Sequence, residues 1–135
     1  MILAHRLAAL AMAAALCGAP PLAGAATLAA QDKAALQAGM QQHIDRQLVQ
    51  GAYLYLVPGS GEVRALHPVT SHPVILRMGA HFVLCADFID AVGRPVNVDF
   101  YMASRGNGYV VFHAAVAQRA QLEALMKSGR VKPAD

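Results

Sequence analysis

His81-Phe82-Val83-Leu84-Cys85-Ala86-Asp87-Phe88-Ile89 and Val96-Asn97-Val98-Asp99-Phe100-Tyr101-Met102-Ala103 are two β-type runs separated by the turn-forming segment Asp90 to Pro95. Side chains alternate across a strand, so Phe82, Leu84, Ala86 and Phe88 share one face, and Val98, Phe100 and Met102 match them on the next strand. These residues form the expected core wall. The other face carries His81, Val83, Cys85, Asp87 and Ile89 beside Asn97, Asp99 and Tyr101. Keeping core opposite core allows only registers that differ by two residues, which sets Asp99 against either Asp87 or Cys85. Arg105-Gly106-Asn107-Gly108 then turns the chain into a last strand, Tyr109 to Ala115. If Val110 and Phe112 point into the core there, His113 lies across from Asp99. The alternative register turns Val111 and His113 inward.

Upstream of these strands, Leu36, Met40, Ile44 and Leu48 recur every fourth residue among Gln, His, Asp and Arg, which predicts one amphipathic helix over Gln31 to Gln50. Asp32 stands near its start, and Gly51 is placed to cap its end. Ala52 to Val57 and Glu62 to His67 read as a hairpin around Pro58-Gly59-Ser60-Gly61. Pro68 to Pro73 reads as a loop and Val74 to Met78 as a short edge strand, with Gly79-Ala80 redirecting the chain. A second helix is expected over Gln118 to Lys127, with Leu122, Leu125 and Met126 as its apolar stripe and Ser128-Gly129 ending it. The expected fold class is therefore α+β: an N-terminal helix packed on an antiparallel meander of four to five strands, with a short C-terminal helix.

This order of elements, with the segments His81 to Phe88 and Val98-Asp99-Phe100-Tyr101 as its most distinctive stretches, resembles the cystatin-like fold. That fold is also seen in nuclear transport factor 2-like domains and in small exported bacterial proteins. The resemblance covers Gln31 to Ala115 and concerns the fold alone. Such a fold hosts inhibitors, enzymes and binding modules, so function has to come from the site.

The front of the chain has a different character. Arg6 precedes an unbroken run of Ala, Leu and Met from Leu7 to Leu16, followed by Gly18, Pro20 and Pro21. A membrane-spanning helix needs about 20 apolar residues, so this shorter run reads as a signal peptide over residues 1–25, with Ala23-Gly24-Ala25 as the cleavage site. A retained N-terminal anchor is the other reading. Cleavage leaves one domain, residues 26–135, destined for the periplasm and without a membrane association. Cys17 follows Ala14-Ala15-Leu16, where bulky Leu16 occupies a position that lipidation wants small. Without Cys17 the domain keeps Cys85 as its one thiol, so its stability has to come from its core rather than from a disulfide.

Charge excludes one class of partner. Of eleven Lys and Arg, Arg6 leaves with the signal, so ten remain against eight Asp and Glu, scattered singly along the domain. Nucleic-acid binding needs a concentrated basic stripe, and none is present.

Three constellations could carry function. Cys85, Asp99 and His113 would form a row across three strands in one register, and an acid orienting a histidine beside a thiol is nucleophile chemistry in kind. His67 and His72 are candidate metal ligands, joined in sequence by His81 and Cys85. Their spacing matches no standard zinc pattern, and residues four apart on a strand are about 13 Å apart, too far to share one ion. Tyr53, Tyr55, His81, Asp87, Asn97 and Tyr101 are candidates for a ligand- or partner-binding sheet face, with both tyrosines expected on the face of His67. The leading expectation is an exported, noncatalytic module binding a small ligand, a periplasmic protein or a second copy of itself, without a cofactor or resident metal. The alternatives are a small enzyme using the Cys85, Asp99 and His113 row, or a metal-binding periplasmic protein.

Overall fold

The computed structural model describes residues 26–135; the expected signal peptide and Cys17 lie outside them. Helix α1 spans Ala30–Gln47 and buries Leu36, Met40 and Ile44, the stripe expected from the four-residue spacing. Its end differs from expectation. Leu48 is already extended, and the chain passes without a loop into β1 (Leu48–Val49), which pairs with β2 (Ala52–Leu56) through Leu48↔Tyr53 and Val49↔Ala52. The two residues between them, Gln50 and Gly51, both have positive φ, 52° and 82°. Gly51 therefore serves a tight hairpin turn of the kind that needs left-handed backbone at both positions, rather than a helix cap.

The sheet corrects the four-to-five-stranded cystatin-like meander. Seven strands are present among the described residues, in the order β1-β2-β3-β4-β5-β6 with β7 against β3, so the chain is sheet-rich with two helices. The largest difference is β3 (Val63–Met78), which runs sixteen residues through both Pro68 and Pro73, where the turn-type residues predict a loop. Its pairing with β4 (His81–Ile89) slips between Pro68 and Thr70 and again between Ser71 and Ile75. Bulges and edges are where a strand accommodates proline. β2 pairs with β3 only as far as Leu66, so the N–H that Pro68 lacks falls where a neighbouring strand has already ended.

β4 pairs with β5 (Pro95–Arg105), and β5 with β6 (Gly108–Val116), all antiparallel. Helix α2 (Arg119–Lys127) follows, and the short β7 (Lys132–Pro133) ties the C-terminus to Leu76 and Arg77 of β3. Helices cover both faces of the sheet. On the α1 side, Phe82, Leu84, Phe88, Val98, Phe100 and Met102 form the main core, with Phe88 and Phe100 fully buried. On the α2 side a smaller core gathers Val83, Cys85, Tyr101 and Ala115 under Leu122 and Val131. No helix among the described residues is long and apolar enough to cross a membrane.

Candidate functional site

The α2 face of the sheet places Cys85 directly opposite Asp99, one of the two registers open from the sequence. Asp99 is completely buried, and an ionised carboxylate in such a place requires a cation. Arg119, the first residue of α2, provides it: its Nη2 lies 3.1 Å from Asp99 Oδ1, its Nη1 donates to Cys85 Sγ at 3.5 Å, and Nη2 also bonds the Asn97 Oδ1. The ion pair is off the line of a hydrogen bond, so both Asp99 oxygens lack a hydrogen-bond partner among the described residues, as does the buried Tyr101 hydroxyl. Sequence reasoning missed Arg119. The signal was available: a buried Asp in an apolar strand calls for a basic partner, and the chain leaves β6 beside Asn97, where Ala117 N–H donates to the Asn97 carbonyl at 2.8 Å, two residues before Arg119.

These neighbours set the chemistry of the thiol. Burial pushes the Cys85 pKa up to about 12, the neighbouring charge of Asp99 adds to it, and Arg119 opposes them. The group is a neutral thiol, whereas a nucleophilic cysteine is a thiolate. The expected third member of the row is elsewhere. Tyr101 pairs with His113 and the next inward pair is Met102 with Val111, so Phe112 is an extra residue in β6. The turn at Arg105↔Gly108 already sets Met102 opposite Val111 rather than Val110, and the bulge adds one more residue, so Ala115 stands opposite Asp99 and His113 is exposed beside the Tyr101 ring, at 5.6 Å between ring centroids. Phe112, expected inside in that register, is exposed and packs edge-on against His81.

The other candidates divide among three places. Asp87 and Asn97 face each other, and Asp87 accepts hydrogen bonds from His72 Nε2 at 2.7 Å and Asn97 Nδ2 at 3.2 Å. The bond from His72, then that from Asn97, holds the Asp87 carboxyl below its ordinary range. His67 is exposed opposite Ile89, and among the described residues no group of three His, Cys, Asp or Glu converges to hold a metal ion. Tyr53 and Tyr55 lie on the opposite face from His67. Tyr53 pairs with Leu66, packs against Phe88 and Phe100 and meets His43 Nε2 through its hydroxyl at 3.3 Å, while Tyr55 packs at the margin of the same core.

Between β3 and α2 the sheet opens into a groove of about 320 Å³, lined by His72, Val74, Leu76, Cys85, Arg119 and Met126. Its walls are apolar, and its polar groups are Arg119, with 37% of its side chain exposed, and His72. Both are bonded or paired to carboxylates of the same face, Arg119 to Asp99 and His72 to Asp87. The chain matches no protein-family model, no curated protein and no solved structure.

Proposed function

We propose that the domain is an exported, noncatalytic module that holds a small, largely apolar molecule with one polar end in the groove between β3 and α2. The observation that carries this reading is the groove itself: concave, apolar-walled, with a few polar groups in its lining, the composition expected of small-molecule sites. Val74, Leu76 and Met126 would take the apolar body, and the Arg119 guanidinium would meet the polar end. The enzyme reading lacks support from the same residues, because the Cys85 thiol is held protonated and His113 stands away from Asp99.

Anilinonaphthalene sulfonate, a fluorescent probe with an apolar ring system and one polar group, tests this reading. The native mature protein should bind it saturably, and Met126→Glu or Val74→Glu should abolish the saturable signal with little change in melting temperature, since both side chains are exposed. Equal binding by the variants, or no saturable binding by the native protein, would sink the proposal.

A further inference from the structure

β3 outruns its neighbour. On one side Val63 to Leu66 pair with β2, whereas on the other side pairing with β4 begins only at His67, opposite Ile89. Val57 N–H donates to the Glu62 carbonyl at 2.8 Å, which fixes the direction of every backbone group that follows. In an antiparallel ladder alternate residues direct both N–H and C=O to the same neighbour, so Arg64 and Leu66 turn theirs to β2 and Val63 and Ala65 turn theirs away from it. The chain that would otherwise extend β4 along this edge is diverted. Asp90 Oδ1 accepts from the N–H of Val92 at 3.0 Å and of Arg94 at 2.9 Å, and Asp90 N–H donates to the Arg94 carbonyl at 3.0 Å. The result is a depression of about 360 Å³ with the free edge of Val63 to Ala65 on one wall and the Asp90 to Arg94 turn on the other.

We propose that this edge is a strand-addition site for an extended, uncharged segment of another protein, which would continue the line of β4 antiparallel to β3. The N–H and C=O groups of Val63 and Ala65, without a strand partner on this side among the described residues, have the spacing that an extended backbone satisfies. Val63 and Val92, 61% and 73% exposed, supply apolar contacts for alternate side chains of the guest. Its neutrality follows from the rim. Glu62 is paired with Arg64, and Asp90 with Arg94, both at 2.8 Å, so no free charge is left to attract a charged segment. A second copy of the chain fits less well, because its own edge is flanked by its own Asp90 to Arg94 turn, which would have to enter the same depression.

The test is selection of peptides from a random display library on the immobilised mature protein, followed by NMR titration of each selected peptide, capped at both ends, into isotope-labelled protein. The expected peptides alternate apolar and uncharged polar residues and slow amide exchange at Val63 and Ala65 by about tenfold or more, because closed strand hydrogen bonds protect amides. N-methylation of the peptide backbone should remove binding. Ala65→Pro, which deletes an N–H aimed at the guest, should do the same, and Val92→Glu provides a second variant outside the strand should the proline disturb the fold. Failure to select any peptide, selected peptides that leave these two amides unchanged, or binding indifferent to N-methylation would each overturn the proposal. So would protection that appears on concentrating the protein alone, since the occupant would then be a second copy.

Discussion

Asp99 has no exposure, and among the described residues Arg119 alone pairs with it, while the guanidinium itself still reaches water. That asymmetry orders the effects of removing either partner. Arg119→Ala leaves a buried carboxylate uncompensated, a change that typically costs about 3–5 kcal/mol, whereas Asp99→Asn leaves a guanidinium that can turn outward into solvent. Chemical denaturation should therefore show Arg119→Ala as the more destabilised variant, with Asp99→Asn in the same chain recovering part of the loss. The reverse order would mean that Arg119 does not stabilise the buried carboxyl group. The thiol gives an independent readout. Because the Cys85 pKa is raised from 9.0 to about 12 in the folded state, the stability linked to its proton is fully present below pH 9 and is lost as pH rises towards 12. Iodoacetamide should alkylate Cys85 far more slowly than an unfolded control at pH 8, and Asp99→Asn should lower the thiol pKa and speed the reaction by removing a neighbouring negative charge. An unchanged rate in Asp99→Asn would show that Asp99 does not act on the thiol. Strand alternation and core matching were enough to place Asp99 beside Cys85 or Asp87. They could not place His113, because the Arg105↔Gly108 turn sets β6 one residue away from that register and an extra residue at Phe112 shifts every later position by one more, and nothing in the Val-Val-Phe-His run marks where a bulge falls.

At the scale of elements, α1 meets β6 where Gly39 leaves room for the strand backbone. A β-carbon built at Gly39 would stand 2.7 Å from the Tyr109 carbonyl oxygen and 3.1 Å from the Met102 methyl carbon. Helix propensity alone favours Ala over Gly by about 1 kcal/mol, but forcing extra volume against backbone costs about 1–3 kcal/mol. Gly39→Ala should consequently lower the melting temperature, and a rise would show that α1 can slide off β6 without penalty. On the sheet side of the same core, Phe100→Ala should cost about 3–5 kcal/mol, while Arg105→Ala, exposed near the end of β5, should leave the melting point nearly unchanged. Equal melting points would remove Phe100 from the core. Both helices and the β4 and β5 runs were legible because their periodicities are long and unbroken. The middle of β3 was not, since Pro68, Thr70, Ser71 and Pro73 have turn composition and only the surrounding sheet makes them strand. The faces of Tyr53 and Tyr55 were misplaced because the alternation Tyr-Leu-Tyr-Leu is apolar on both sides. Which side is buried was decided by packing on Phe88 and Phe100.

At the scale of the molecule, one sheet supports two cores, and the smaller one depends on the chain that follows β6. Arg119, Leu122 and Val131 cover the Cys85 face, while β7 and the bond from Ala134 N–H to the Ile75 carbonyl at 3.0 Å close the C-terminus against β3. The opposite end of the domain bears on export. Ala26 and Thr27 are exposed, whereas Leu28 is buried in the main core ahead of α1. Cleavage after Ala25 would remove the charged and apolar leader and spare the first core side chain, so a chain beginning at Ala26 should retain full stability. Deleting Leu28, or truncating it in Leu28→Ala, should cost about 2–5 kcal/mol. Expression of the full chain in a Gram-negative host, fractionation, and N-terminal sequencing should recover a periplasmic protein starting at or near Ala26. An intact Met1 chain in the inner membrane would overturn the signal-peptide reading in favour of a retained anchor. A mature chain starting beyond Leu28 with unimpaired melting would instead overturn the place of Leu28 in the core. The two outcomes are separable because one is read by sequencing and the other by denaturation.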